Sequence, residues 1–240
     1  MDNWGPWARW FRRNRESHKT DYHLIQHPAL VDCLGDIAGK KALDVGCGPG
    51  TLAIAMTQKG ARVTAVDASE AMLAVAREEA KARGVSVDFV RSPLAECRQW
   101  DRCFDLVAAV NVLRYLEEPA DLLQLVDRGL ADAGRFVLSD VHPLIDAADR
   151  SGGLEERRVS DYFGRRRDTM EFSVGPAKAV VPFYRRPLED IFAALADAGF
   201  AVTRFAEPRP RADLVTLSNR KYFEAGNRFP FCYVLEAVRR

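Results

Sequence analysis

With 240 residues, 48% of them apolar and 29% charged, the chain can bury one sizeable core, and it contains no internal repeat or low-complexity tract. A net charge of +1 excludes a global field that would gather nucleic acid or an acidic membrane, although residues 149–240 are mildly basic, with 17 Lys and Arg against 13 Asp and Glu. Five cysteines without a C-x-x-C pair, no apolar leader in the first thirty residues and no bilayer-length apolar run predict a reduced, cytoplasmic protein.

Trp4, Trp7 and Phe11 fall at helical spacing among Arg9, Arg12, Arg13 and Arg15. A basic amphipathic helix can lie on a membrane, but residues 1–23 carry a net charge of only +2, which favours a lid helix with an aromatic underside. His23 and His27 have the i, i+4 spacing of helical metal ligands, with His18 nearby, yet no Glu follows His23 as in H-E-x-x-H, no cysteine or acid cluster is nearby, and no metal is expected. Ala42–Val45 reads as a buried strand, and Thr51–Lys59 as a helix closed by Gly60. Arg62–Asp67 reads as a second strand, followed by Ser69 as the N-cap of a helix over Glu70–Arg83. Strands are expected at Val85–Val90, Phe104–Val110 and Arg135–Ser139, with a helix from Pro119 to Leu130 before the last. Residues 143–185 and 208–230 lack periodicity and read as insertions rich in aromatic residues. Between them lie a helix over Leu188–Ala198 and a strand over Ala201–Ala206, and Phe231–Val238 reads as a final strand.

Alternating strands and helices predict a doubly wound α/β sheet, Rossmann-like, whose ligand lies beyond the carboxyl ends of the strands. There the sequence places Leu43-Asp44-Val45-Gly46-Cys47-Gly48-Pro49-Gly50, with Asp67 ending the next strand. Glycines permit close backbone approach, and a strand-end carboxylate suits the two hydroxyls of a ribose. Pro49 breaks the G-x-G-x-x-G spacing of pyrophosphate binders, so the dinucleotide fingerprint does not match. Cys47, between two glycines, reads as a small neighbour of the ligand rather than a nucleophile.

This octet with Asp67 resembles motif I and the following acid of class I methyltransferases that use S-adenosylmethionine. The resemblance covers residues 41–142 closely and extends more loosely to 240. It implies a single domain over 1–240: a lid over 1–40, a cofactor-binding core over 41–142, and substrate-lid insertions at 143–185 and 208–230. Seven mostly parallel strands with helices on both faces are implied, the last strand antiparallel. Asp44 would orient the methionine amino group, directly or through water, and Gly46, Cys47 and Gly48 would pass beneath the methionyl-ribose portion. Asp67 would take the ribose hydroxyls, with Ala68 and Met72 against adenine. Ser92 stands where the family often has Asp, followed by Pro93 and Leu94. The Asn111 backbone carbonyl would meet the methionine ammonium.

Ser139-Asp140-Val141-His142-Pro143, Tyr184-Arg185-Arg186-Pro187, Ala198-Gly199-Phe200 and Glu207-Pro208 resemble a subgroup acting on small molecules. His142 is the candidate base, since a hydroxyl or protonated amine must lose a proton. Arg114 stands where that subgroup often has His; it would hold a substrate anion or pair with Glu117 or Glu118. Tyr22 would approach the sulfonium. The expected acceptor is a small aromatic or amphipathic molecule, methylated on oxygen or nitrogen. No nucleic-acid or membrane partner is expected, and a non-methylating reaction of S-adenosylmethionine or binding without catalysis remains open.

Overall fold

The computed structural model describes residues 4–13, 22–149, 153–154, 156–174 and 177–240, so Arg15 and His18 lie outside the described residues. Helix α1 (Gly5–Arg13) comes first, then a π-helical turn, Tyr22–Gln26, that runs into α2 (His27–Leu34). The core follows as β1 (Lys41–Val45), α3 (Thr51–Gln58), β2 (Arg62–Asp67), α4 (Glu70–Ala82), β3 (Asp88–Arg91), β4 (Phe104–Val110), α5 (Pro119–Gly129) and β5 (Leu130–Val141). Helix α6 (Pro143–Ala147), β6 (Ala148–Asp149), β7 (Arg158–Val159), β8 (Arg166–Val174) and β9 (Ala177–Arg185) form the first insertion. The chain ends with α7 (Leu188–Asp197), β10 (Phe200–Ala206), α8 (Arg220–Gly226) and β11 (Cys232–Arg239).

The seven-stranded sheet runs β10-β11-β5-β4-β1-β2-β3. Strand β11 is antiparallel to β5 and to β10, while β1, β2, β3, β4 and β5 pair in parallel, as expected. The chain winds outward from β1 through β2 to β3, then returns to β4 on the other side of β1. That reversal opens a crevice at the carboxyl ends of β1 and β4, where ligands of such sheets bind. Both faces are covered. Leu43, Val107, Phe136 and Leu138 pack with Leu122 and Val126 of α5 and Leu195 of α7; Ala42, Ala65 and Leu106 pack with Leu30, Met56 and Leu73.

Local chemistry sets most boundaries. The Met72 amide donates to Ser69 Oγ at 3.3 Å, capping α4 as its Ser-x-x pattern predicts. Strand β3 begins three residues later than expected, because the Val85 amide turns back to the Ala80 carbonyl at 3.0 Å and closes α4. In the first insertion a hairpin of two nine-residue strands, β8 with β9, forms where no periodicity was legible. Ion pairs join Arg166 of β8 to Asp161 and Arg185 of β9 to Asp168, while Arg165, just before β8, pairs with Asp190 of α7. Helix α1 lies on α4, with Ala8 packed against Met72 and Val75 and Arg12 Nη2 donating to Glu78 Oε1 at 3.0 Å. Among the described residues no helix is long and apolar enough to cross a membrane.

Candidate active site

Gly46, Cys47, Gly48, Pro49 and Gly50 leave the end of β1 in a turn whose glycines all have positive φ. A Cβ on Gly46 would stand 2.4 Å from Val112 Cγ2, so only glycine lets the turn pass the loop that follows β4. The space over Gly48 is open. The amides of the turn point inward: Cys47 N–H donates to the Val66 carbonyl at 3.0 Å, Gly48 N–H to Asp67 Oδ2 at 2.8 Å, and Gly50 N–H to the Cys47 carbonyl at 3.0 Å. A loop that spends its amides this way is no cradle for phosphate.

Asp67 ends β2 and is held from two sides, by Gly48 N–H and by Ser69 N–H, each at 2.8 Å. Two backbone donors fix the carboxylate as an oriented acceptor, and a carboxylate offers roughly four acceptor directions, enough for a vicinal diol as well. Asp44 differs. It is 2% exposed, and its Oδ2 has no hydrogen-bond partner among the described residues. Burial pushes its carboxyl up to about 8, against the amide of Ala53, and the charge of Asp67 adds to the rise. A ligand cation is the group that would satisfy this oxygen. Burial, then Asp44 and Asp67, hold the Cys47 thiol well above its usual range, so it stays protonated.

Both carboxylates line a cavity of about 550 Å³. Of the expected residues, Tyr22, Asp44, Gly46, Cys47, Gly48, Asp67, Ala68, Met72, Ser92, Leu94 and Asn111 line it. Pro93 does not; its carbonyl instead accepts from Ser92 Oγ at 3.1 Å. That bond uses the Ser92 hydrogen and leaves its oxygen to accept from an adenine amine. Trp4, just before α1, and Trp7, Trp10 and Phe11 of α1 form one wall, and Trp4 meets Tyr115 edge-on at 4.9 Å. Burial and the Asp44 charge push the Tyr22 hydroxyl far up, which keeps it a neutral donor.

Two candidates are placed elsewhere. His142 caps α6 with Nδ1 accepting from Leu144 N–H at 3.1 Å, and its Nε2 stands 3.0 Å from Glu207 Oε1. The amide at Nδ1 puts the ring proton on Nε2, and burial lowers the pKa despite Glu207. The ring is 3% exposed and is not among the residues that line the cavity. His142→Ala should lower stability by about 1 kcal/mol, while His142→Asn, which can still cap, should keep turnover and melting temperature near wild type. Thermal melts beside turnover assays check this, and a collapse of turnover in the Asn variant would restore His142 as the base.

Arg114 pairs with Asp146 at 2.6 Å, both side chains 7% exposed, rather than with Glu117 or Glu118. Its guanidinium lies 4.7 Å over the Phe183 ring, and burial, which works against its charge, is outweighed by Asp146, Tyr115, Asp140 and Tyr233 together. It therefore braces the loop after β4 from behind and does not reach the cavity. The insertions, expected as substrate lids, supply none of the described lining residues; the second packs Ala225 against Leu24 and Ile25 of the π-helical turn.

Several lining residues were not legible as such, among them His23, Trp10 and Tyr115. His23 reads only as part of a histidine cluster, Trp10 lies off the predicted stripe, and Tyr115 carries no motif. The adjacency of His23 to Tyr22 was the one available signal.

A doubly wound sheet with this strand order, an inward-bonded glycine turn and a strand-end carboxylate give the architecture that the resemblance to class I, S-adenosylmethionine-dependent methyltransferases implies. Residues 42–134 match the family model described as a methyltransferase domain. Over 139 residues the chain is 37% identical to a ubiquinone biosynthesis O-methyltransferase of Pseudomonas aeruginosa, an alignment covering 56% of this chain and 58% of that protein. The chain thus spans little more than half the length of that curated relative. Over nearly the whole chain it resembles an S-adenosylmethionine-dependent methyltransferase structure from Mesorhizobium loti, at a TM-score of 0.71 and 26% identity, covering 92% of this chain and 98% of that one. It shares its fold with magnesium protoporphyrin IX methyltransferase of Synechocystis, at a TM-score of 0.63 and 24% identity, covering 98% and 94%.

Proposed function

We propose that this protein transfers a methyl group from S-adenosylmethionine to an oxygen or nitrogen atom of a small aromatic or amphipathic acceptor. The observation that carries the reading is the buried, unpartnered Oδ2 of Asp44 in a cavity that Asp67 also lines. A cationic nucleoside without phosphates meets both carboxylates and asks nothing of the turn's spent amides. When bound, S-adenosylmethionine supplies a methyl already activated on a cationic sulfur.

The chain's own residues bind, orient and exclude water. Asp44 takes the ammonium and Asp67 the ribose diol. Ala68, Met72, Leu94 and the Ser92 oxygen receive the adenine, and the Asn111 carbonyl adds an acceptor for the ammonium. Trp4, Trp7, Trp10 and Phe11 keep water from the reacting atoms, which makes α1 a lid in the functional sense. Tyr22 presents a neutral hydroxyl and an aromatic face to the sulfonium. His23 replaces His142 as the proton acceptor, being the imidazole that lines the cavity among the described residues. The relatedness to O-methyltransferases favours a hydroxyl as nucleophile.

Calorimetry with S-adenosylmethionine and S-adenosylhomocysteine, then a panel of phenols and amines scored by S-adenosylhomocysteine release and product mass, tests the reading. Both nucleosides should bind, and products should gain one methylene in mass. Absence of binding overturns the reading, and conversion without S-adenosylhomocysteine assigns a different chemistry. His23→Asn should reduce turnover about a hundredfold with little change in cofactor affinity; undiminished turnover would remove it as the base.

A further inference from the structure

We infer that Gln26, which the reaction scheme above does not use, is a positioning residue that holds Asn111 in the backbone conformation the cofactor site requires. The inference rests on the methyl-transfer reading for the purpose of the cavity, and on the geometry alone for the contact itself. Asn111 ends β4 with φ +54°, one of two non-glycine residues with positive φ among those described. Asparagine tolerates the left-handed region better than most residues, but it also populates others, so something must select it. A residue strained at a site is held by its surroundings.

Those surroundings are fully specified. Gln26 is 4% exposed and exchanges two hydrogen bonds with the Asn111 amide, donating from Nε2 to Oδ1 at 3.0 Å and accepting from Nδ2 at 3.1 Å. Its Nε2 also donates to Ser139 Oγ at 2.8 Å. The single hydroxyl hydrogen of Ser139 goes to the Tyr233 carbonyl at 2.6 Å, so that oxygen can only accept from Gln26. This dictates which end of the Gln26 amide faces Ser139, and therefore which ends of Gln26 and Asn111 meet. The Asn111 amide is bonded to the Ser139 carbonyl at 2.8 Å, so Asn111 is gripped through backbone and side chain together.

Gln26 closes the π-helical turn, whose five residues point three ways. Tyr22 and His23 line the cavity, Leu24 and Ile25 pack against Ala225 and Phe231, and Gln26 turns inward to Asn111. The i→i+5 bonding of a π-turn changes the angular step between successive side chains, and such turns recur at functional sites. Through Gln26 the segment that carries Tyr22 and His23 is tied to the end of β4, beneath the ligand.

The test compares Gln26→Leu, Asn111→Gly and Asn111→Ala. Both Asn111 variants lose the paired amide, but only alanine resists positive φ, so cofactor affinity should fall at least about tenfold further in Asn111→Ala than in Asn111→Gly. Gln26→Leu should weaken S-adenosylmethionine about tenfold or more in the wild-type background and add little in the Asn111→Gly background. It should also speed hydrogen exchange at the Asn111 amide in the ligand-free protein. Ser139→Ala, which removes one of the acceptors of Gln26 and leaves Asn111 untouched, should give the same changes at smaller amplitude and serves if Gln26→Leu does not fold. Equal affinity of Asn111→Gly and Asn111→Ala, or wild-type affinity in Gln26→Leu, overturns the inference. Failure of the wild-type protein to bind S-adenosylmethionine at all instead defeats the methyl-transfer reading, and the exchange measurement then still decides whether Gln26 holds Asn111.

Discussion

Asp67→Ala should abolish measurable binding of S-adenosylmethionine, a loss of about a hundredfold or more. The expected size follows from two charge-assisted hydrogen bonds to the ribose, each worth on the order of 1.5–3 kcal/mol. The carboxylate does a second task, since it also accepts the Gly48 and Ser69 amides at 2.8 Å. Its removal releases the glycine turn as well as the sugar. Asp67→Asn is the sharper variant because its size is unchanged. An amide has one acceptor oxygen where the carboxylate has two, so its NH₂ must confront either the Gly48 or the Ser69 hydrogen. The Asn variant should therefore bind almost as poorly as the Ala variant while helix α4, capped by Ser69 itself, remains folded. Calorimetry and circular dichroism on the two proteins provide the check. Tight binding by Asp67→Asn would show that the ribose is held elsewhere.

Asp44 makes cofactor binding a proton-linked event. With its carboxyl pushed up to about 8 by burial, the ligand-free protein holds it mostly protonated at pH 7. A bound ammonium lowers that pKa, so binding at pH 7 should release close to one proton, and affinity should rise nearly tenfold per pH unit from pH 6 until it levels near 8. Calorimetry in buffers of different ionisation enthalpy counts the proton directly. Asp44→Asn should bind without proton release and with about a hundredfold lower affinity at pH 8. The same shift predicts the opposite effect on stability. Between the unfolded carboxylate value near 3.9 and about 8 the folded state binds more protons than the unfolded one, so ligand-free stability falls as pH rises through that window. Asn carries no such penalty. Asp44→Asn should therefore be more stable without ligand at pH 7, on the order of 3 kcal/mol, which thermal melts across pH 5–8 would reveal. A pH-independent affinity in the wild-type protein would contradict an uncharged resting Asp44.

The electrostatics of the two carboxylates divide the labour of the site. Asp67 is a prepared acceptor, fixed by backbone amides before any ligand arrives. Asp44 is a suppressed one whose charge appears only when a cation is present to share its burial. In the proposed function this arrangement should discriminate against anionic nucleosides at both ends.

The sheet and its ligand edge could be read from the residues alone because their causes are local. Apolar runs such as Phe104–Val110, the Ser69 cap and the Gly60 and Gly84 stops act within a few residues of themselves. The glycine turn and Asp67 announce a nucleoside-binding edge through spacing, which is also local. The hairpin of β8 and β9 was hidden because its pairing, such as Arg185 with Asp168, joins positions far apart along the chain. The roles of His142 and Arg114 were equally hidden. A histidine at a strand end serves chemistry or capping according to what faces its two nitrogens, and Glu207 and Leu144 take those places. Arg114 turns away from the cavity because Asp146, 32 positions later, is buried beside it. His23 and Gln26 gain their places only when the π-helical turn docks across the end of β4, 85 residues downstream of Gln26. Motifs reveal what a segment can bind, whereas the partners that commit a titratable or polar side chain come from elsewhere in the chain, and packing alone brings them within hydrogen-bond reach.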